Sequence, residues 1–408
     1  MAEAGLSGDL HASAATTPTR TSPWAALLRL SLAQMVGWGM LYYVFTVVQV
    51  PMVQDLGWST TLVSGGFSLA LLVSALAGMV FGPRFDRSGP WLIMVLGASG
   101  GMAILAAWSL VAHPLTYLVL MAALGLAMAA CLYEPAFYLV ARWFPARRAP
   151  AFTVLTLFGA LASPIFLPLT ERLCHGLGWR GGLLACAAIG LVVVVPLLAS
   201  LPRIHHPGNA RSTDRRMLAR SAFAEARFRW LLIGYVAVAI PAIALPVHLV
   251  PALVDQGESL AFAAVATGAI ALVGMIGRLA FAVVGDGRAL VPATALVFTA
   301  MTVAVALLLA LPGRSGTVAF VACFGLGYGA LWPTRAALVT RAWAGPALAT
   351  ISARFALGPN LAKAMAPLLA ALLIDWWGDR WSFAVLGLLP ALGALCILHA
   401  ERRSGADV

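Results

Sequence analysis

Residues 47–59 read VVQVPMVQDLGWS, and residues 247–259 read VHLVPALVDQGES. At an offset of 200 the two stretches share Val47/Val247, Val50/Val250, Pro51/Pro251, Asp55/Asp255, Gly57/Gly257 and Ser59/Ser259. Valine matches are cheap in an apolar chain, but a Pro–Asp–Gly–Ser set in one register is not. Without a gap, the same offset pairs Asp86 with Asp286, Gly125 with Gly325, Trp143 with Trp343, Gly178 with Gly378 and Arg180 with Arg380. Self-similarity at a fixed interval marks a chain built twice from one unit.

Composition says what each unit is. Of 408 residues, 62% are hydrophobic and only 10% are charged, where a soluble domain carries about 25% charged residues to cover its surface. The chain's solvent is therefore mostly lipid. A soluble multidomain protein, a disordered chain, a disulfide scaffold and a nucleic-acid-binding globule are all excluded, despite a net charge of +11. A bilayer core of about 30 Å takes roughly 20 apolar residues per helix. That window yields twelve spans, at 25–51, 60–82, 91–112, 116–141, 151–173, 181–201, 229–252, 260–285, 291–311, 317–341, 348–374 and 381–399. The predicted fold class is all-α integral membrane, with twelve transmembrane helices in two pseudo-symmetric six-helix bundles. Residues 1–22 are expected to be a disordered cytoplasmic tail, 23–202 the first bundle, 203–228 a basic cytoplasmic linker, 229–400 the second bundle and 401–408 a short tail.

Arginine placement sets the orientation. With the N-terminus inside, eighteen arginines fall on cytoplasmic segments and helix ends, and four (Arg172, Arg180, Arg314, Arg380) fall on the opposite side. Both ends are thus expected in the cytoplasm of a multi-pass inner-membrane protein. The five cysteines are scattered singly, so neither a disulfide nor a zinc site is expected. No phosphate-binding G-x-x-x-x-G-K-[ST] loop, H-E-x-x-H or G-x-S-x-G pattern occurs, so no cofactor and no enzyme activity are expected.

Four cations remain inside spans: Arg278, Arg335, Arg354 and Lys363, the last being the only lysine in the chain. A charge at a helix centre costs about 2.5–3.5 kcal/mol on insertion scales, so each needs a reason. Lys363 lies roughly 22 Å into its span at 1.5 Å per residue, too deep to reach water along its own stem. Arg278 lies about 12 Å before Asp286 on its helix. Arg354 is nearer the cytoplasmic end, where its stem reaches water. Glu134 is the only acid well within a span, so at most one cation is matched. It serves either as a fixed partner for an arginine or as the carrier of a coupled proton. The surplus of buried positive charge is what an anionic substrate would complete, each close pair being worth about 4 kcal/mol at an effective dielectric near 20, before desolvation. Asn360 shares a helix face with Lys363, and Pro367 frees the Lys363 carbonyl to line a cavity.

Between spans 2 and 3, Gly82-Pro-Arg-Phe-Asp86-Arg87-Ser-Gly89 resembles the G-x-x-x-D-R-x-G signature of the major facilitator superfamily, with Pro90 where a basic residue is usual. The resemblance implies that Asp86 and Arg87 hold neighbouring helix ends together and release them when the carrier changes state. The repeat copy has decayed to Ala282-x-x-x-Asp286. Asn360-Leu-Ala-Lys363 resembles the Tyr-x-Ala-Lys pattern of the bacterial oxalate–formate exchanger branch, and Arg278 resembles the span-8 arginine shared with monocarboxylate carriers. Tyr43-Val-Phe-Thr46 resembles that branch's Tyr-x-Trp-Thr, with Tyr42 in place of a glutamine, and Gly274 stands where animal-type carriers place an acid. By this likeness Arg278 and Lys363 clamp carboxylates, while Tyr43 and Trp332 box the carbon skeleton. The expectation is a secondary active transporter, alternating its access, for a small organic anion such as a mono- or dicarboxylate, by proton symport or anion exchange. Its partners would be that anion and the lipid bilayer, with no nucleic acid, and it would work as a monomer. The rival readings are an efflux carrier for drugs or other solutes and a non-transporting membrane sensor.

Overall fold

The computed structural model describes residues 22–203, 212–284 and 289–404. The expected tail up to residue 21, part of the linker, Asp286, Arg288 and the last four residues lie outside the described residues. The helices run in order α1 (Pro23–Trp38), a π-helical turn (Gly39–Tyr43), α2 (Val44–Leu56), α3 (Thr60–Ser88), α4 (Trp91–Trp108), α5 (Pro114–Cys131), α6 (Tyr133–Trp143), α7 (Arg148–Ala160) and α8 (Ala162–Ala199). After α9 (Ser212–Ala224) follow α10 (Ala226–Asp255), α11 (Leu260–Val284), α12 (Leu290–Ala310), α13 (Gly313–Ala342) and α14 (Leu348–Ser404).

Ten helices among the described residues are long and apolar enough to cross a membrane. Two further crossings complete the twelve-span fold. Arg148–Ala199 contains two, divided at Gly178, and α14 contains two, divided at Gly378. The first half of α14 carries Arg354, Asn360 and Lys363. Gly178 (φ 70°, ψ 165°) and Gly378 (φ 74°, ψ 169°) adopt the same conformation, one that is essentially restricted to glycine. The repeat read from the sequence is thus a repeat of backbone geometry.

Packing repeats as well. Helix α3 lies on α5 as α11 lies on α13, and α4 contacts both α5 and α8 as α12 contacts both α13 and α14. The halves meet where α3 packs on α14 and α7 packs on α11, with α6 and α13 completing the contact. Large apolar side chains such as Leu72, Leu96, Val192, Leu272 and Leu388 stay exposed on the outside, as helices solvated by lipid require.

Three local features depart from the sequence reading. Span 1 contains a π-helical turn, which places Tyr42 and Tyr43 at its end. Span 4 breaks at Leu132 (φ −84°, ψ −143°). Pro135 has no N–H to give the Cys131 carbonyl, and buried Gln34 Nε2 donates to that oxygen instead at 2.7 Å. The basic linker is partly helical: α9 packs on α10 and α14, with Arg354 over the Phe223 ring at 4.3 Å.

Candidate functional site

At one end of the bundle, hereafter the Asp86 end, the two halves are bonded together. Buried Asp86 accepts hydrogen bonds from the Ala349 N–H (2.9 Å), the Thr350 N–H (2.8 Å) and the Thr350 hydroxyl (2.6 Å) at the start of α14. An anion at a helix N-terminus meets unpaired N–H groups and the positive end of the helix dipole. Gly82 lies so close that a Cβ there would meet the Ala349 carbonyl at 2.7 Å. Arg142 donates to the Gly345 carbonyl (3.0 Å), and Arg148 donates to the Thr340 carbonyl (3.2 Å). Of the predicted gating residues, Gly82 and Asp86 are therefore at the seam between halves. Gly89 ends α3 at φ 74°, and Arg87 is exposed.

Deeper in, Glu134 of α6 and Arg335 of α13 form an ion pair between the halves at 2.7 Å. Glu134 lies in the first turn of α6, created by the Leu132 break, where the helix dipole favours a carboxylate. Glu134 thus has an arginine partner from the other half. Arg335 is thereby removed from the surplus of cations.

Arg278 and Lys363 remain. Arg278 is 8% exposed, and its Nε and Nη1 are buried with no hydrogen-bond partner. Its backbone carbonyl accepts from Thr153 of the other half at 3.2 Å. Lys363 Nζ sits 4.1 Å from the centre of the Trp332 ring, a cation–π contact. Among the described residues neither cation has a carboxylate within ion-pair distance.

Tyr42 and Tyr43 are ring neighbours at 5.1 Å, and Tyr42 also packs on Trp38 (5.2 Å) and Phe67 (5.3 Å). Trp38 packs on Tyr133 at 4.8 Å, and its Nε1 is buried without a partner. Trp38, Tyr133 and Phe67 thus form one aromatic cluster with Tyr42 and Tyr43, while Trp332 packs against Lys363. Asn360 is half-buried beside Lys363 and makes no hydrogen bond among the described residues. His248 Nε2 lies 3.1 Å from the Pro367 carbonyl, tying α10 to α14 one turn beyond Lys363.

Residues 30–343 match the sequence profile of the Major Facilitator Superfamily. A curated relative, the MFS-type transporter pynF of Aspergillus niger, is 24% identical over 238 residues. That alignment covers 57% of this chain and 54% of the relative, so the match spans about half of the relative's length. Among solved structures, the E. coli fucose:proton symporter FucP superposes with a TM-score of 0.74 at 13% identity, covering 93% of this chain and 98% of that one. A bacterial homologue of the iron transporter ferroportin gives 0.73 at 14% identity, covering 93% and 99%. The human organic anion transporter MFSD10 gives 0.67 at 14% identity, covering 93% and 100%.

Proposed function

The chain belongs to the major facilitator superfamily, and from that premise we propose that it is a secondary active transporter for a small organic anion, a mono- or dicarboxylate. Solved structures of this fold carry names as different as fucose symporter, organic anion transporter and iron-transporter homologue, so the fold leaves the cargo open and the case rests on the site. One observation carries it: among the described residues, two deep cations, Arg278 and Lys363, have no carboxylate within ion-pair distance, and Glu134 is paired with Arg335. A carboxylate reaching Arg278 satisfies its buried N–H groups, and its approach to Lys363 repays part of the cost of keeping that charge in the membrane. Trp332, Tyr42 and Tyr43 supply ring faces for the carbon skeleton.

In this reading the Asp86 end faces the cytoplasm, both termini lie on that side of an inner membrane, and the bonded seam corresponds to a carrier closed inward. Transport then requires Asp86, Arg142 and Arg148 to release their partners while the opposite end closes. A monomer suffices, because both clamp residues and the aromatic wall come from one chain.

Uptake of labelled carboxylates into proteoliposomes tests the proposal. Removing one partner of a buried charge contact typically costs 2–5 kcal/mol, so Arg278→Ala and Lys363→Ala should each raise the half-saturating concentration by roughly 30-fold or more. Full activity in both variants would eliminate the clamp.

A further inference from the structure

The ion pair between Glu134 and Arg335 is only half of what an arginine can make. Glu134 Oε1 takes Nη2 at 2.7 Å, while Arg335 Nε, on the same edge of the guanidinium, is buried with no partner. A carboxylate tethered to α6 reaches one N–H of that fork; an untethered one can take both in the bidentate geometry that arginine favours. A cavity opens beside the pair, lined by Glu134, Phe137, Tyr138, Arg335, Thr340 and Leu348. It lies between the pair and the seam made by Arg142, Arg148 and Asp86. Arg335 follows Trp332 by three residues, about 4.5 Å further along α13 toward the Asp86 end. Lys363 lies over that same Trp332 ring.

The pair also joins the two halves. Opening the Asp86 end pulls α6 from α13, and Arg335, whose side chain is 9% exposed, would be left as an uncompensated buried charge unless another anion replaced Glu134. We propose that Arg335 is a second carboxylate site, one step nearer the Asp86 end than the Arg278–Lys363 site and occupied here by Glu134 as a tethered stand-in. The transported anion displaces Glu134 as it passes, and that displacement unlocks the halves. This inference rests on the anion-carrier reading above.

Acetate serves as the probe, added to detergent-purified protein at constant ionic strength against chloride, with melting temperature as the readout. Glu134→Ala should melt below the wild type in chloride and recover as acetate fills the vacated fork. Its half-maximal response should come at an acetate concentration about tenfold lower than in the wild type, a change of 1.4 kcal/mol. The recovery should survive Arg278→Ala in the same protein and vanish with Arg335→Ala. If the wild type responds through Arg278 and Lys363 but Glu134→Ala gains nothing further, the second site fails and the carrier reading stands. If no carboxylate stabilises the wild type, the carrier reading fails and takes the displacement step with it. Should Glu134→Ala not fold, Glu134→Gln provides the test by flux. Its weakened lock should raise net one-way movement several-fold relative to exchange, and an unchanged ratio overturns the proposal.

Discussion

Arg278 and Arg335 are both more than nine-tenths buried, yet the protein treats them in opposite ways. Arg335 has Glu134 at 2.7 Å, whereas Arg278 keeps two N–H-bearing nitrogens without a partner. Stability should reveal the difference. Arg335→Met leaves the half-buried Glu134 carboxylate without its partner and should cost about 2–3 kcal/mol, toward the low end for breaking a buried pair. Arg278→Met removes a charge that no described carboxylate pairs with, and should leave stability unchanged or raise it. Denaturation of both variants in detergent checks this, and the reverse order would contradict the assignment. That the site holds more plus than minus was legible in the sequence, because Glu134 is the only acid deep in a span. The cation it neutralises also left a trace in the sequence. Arg335 follows Glu134 by 201 residues, almost the repeat offset, so the two occupy near-equivalent places on helices that face each other across the pseudo-symmetry axis.

At the scale of elements, the spans were readable because lipid imposes a length and a composition. Their interruptions were less so. The π-helical turn at Gly39–Tyr43 and the break at Leu132 leave no periodic trace in an apolar run, yet the first positions Tyr42 and Tyr43 and the second puts Glu134 at a helix start. Only Pro135 hinted at the break, and its consequence depended on Gln34 arriving from α1 to take the Cys131 carbonyl. Pro367 cannot bond to the Lys363 carbonyl, and its own oxygen is approached by His248. The glycine corners were visible as repeat identities, and their conformation explains why they are glycine. A side chain at φ near 70° and ψ near 165° is strained, so Gly178→Ala and Gly378→Ala should each destabilise the fold by about 1–3 kcal/mol. Equal losses on thermal unfolding are expected from the repeat, and a neutral effect at either corner would contradict the shared geometry.

Across the whole molecule, twofold construction fixes the architecture and an electrostatic imbalance at its centre fixes the proposed cargo. The halves are held at the Asp86 end by an acid on the N-terminus of α14, and each hydrogen bond to a charged group is worth about 1.5–3 kcal/mol. Asp86→Ala should therefore open that end. A cysteine introduced at Ser352, in the lining of the cavity beside the seam, should react with a water-soluble maleimide at least tenfold faster in the Asp86→Ala background. An unchanged rate would mean that the seam is held elsewhere. The central claim, that Arg278 and Lys363 await a negative charge, is tested most directly by calorimetric titration of a carboxylate against its own primary amide. The account predicts that the acid binds at least tenfold more tightly, a preference of about 1.4 kcal/mol, and that Arg278→Gln with Lys363→Gln abolishes it. Equal affinity for acid and amide in the unmodified protein would contradict it.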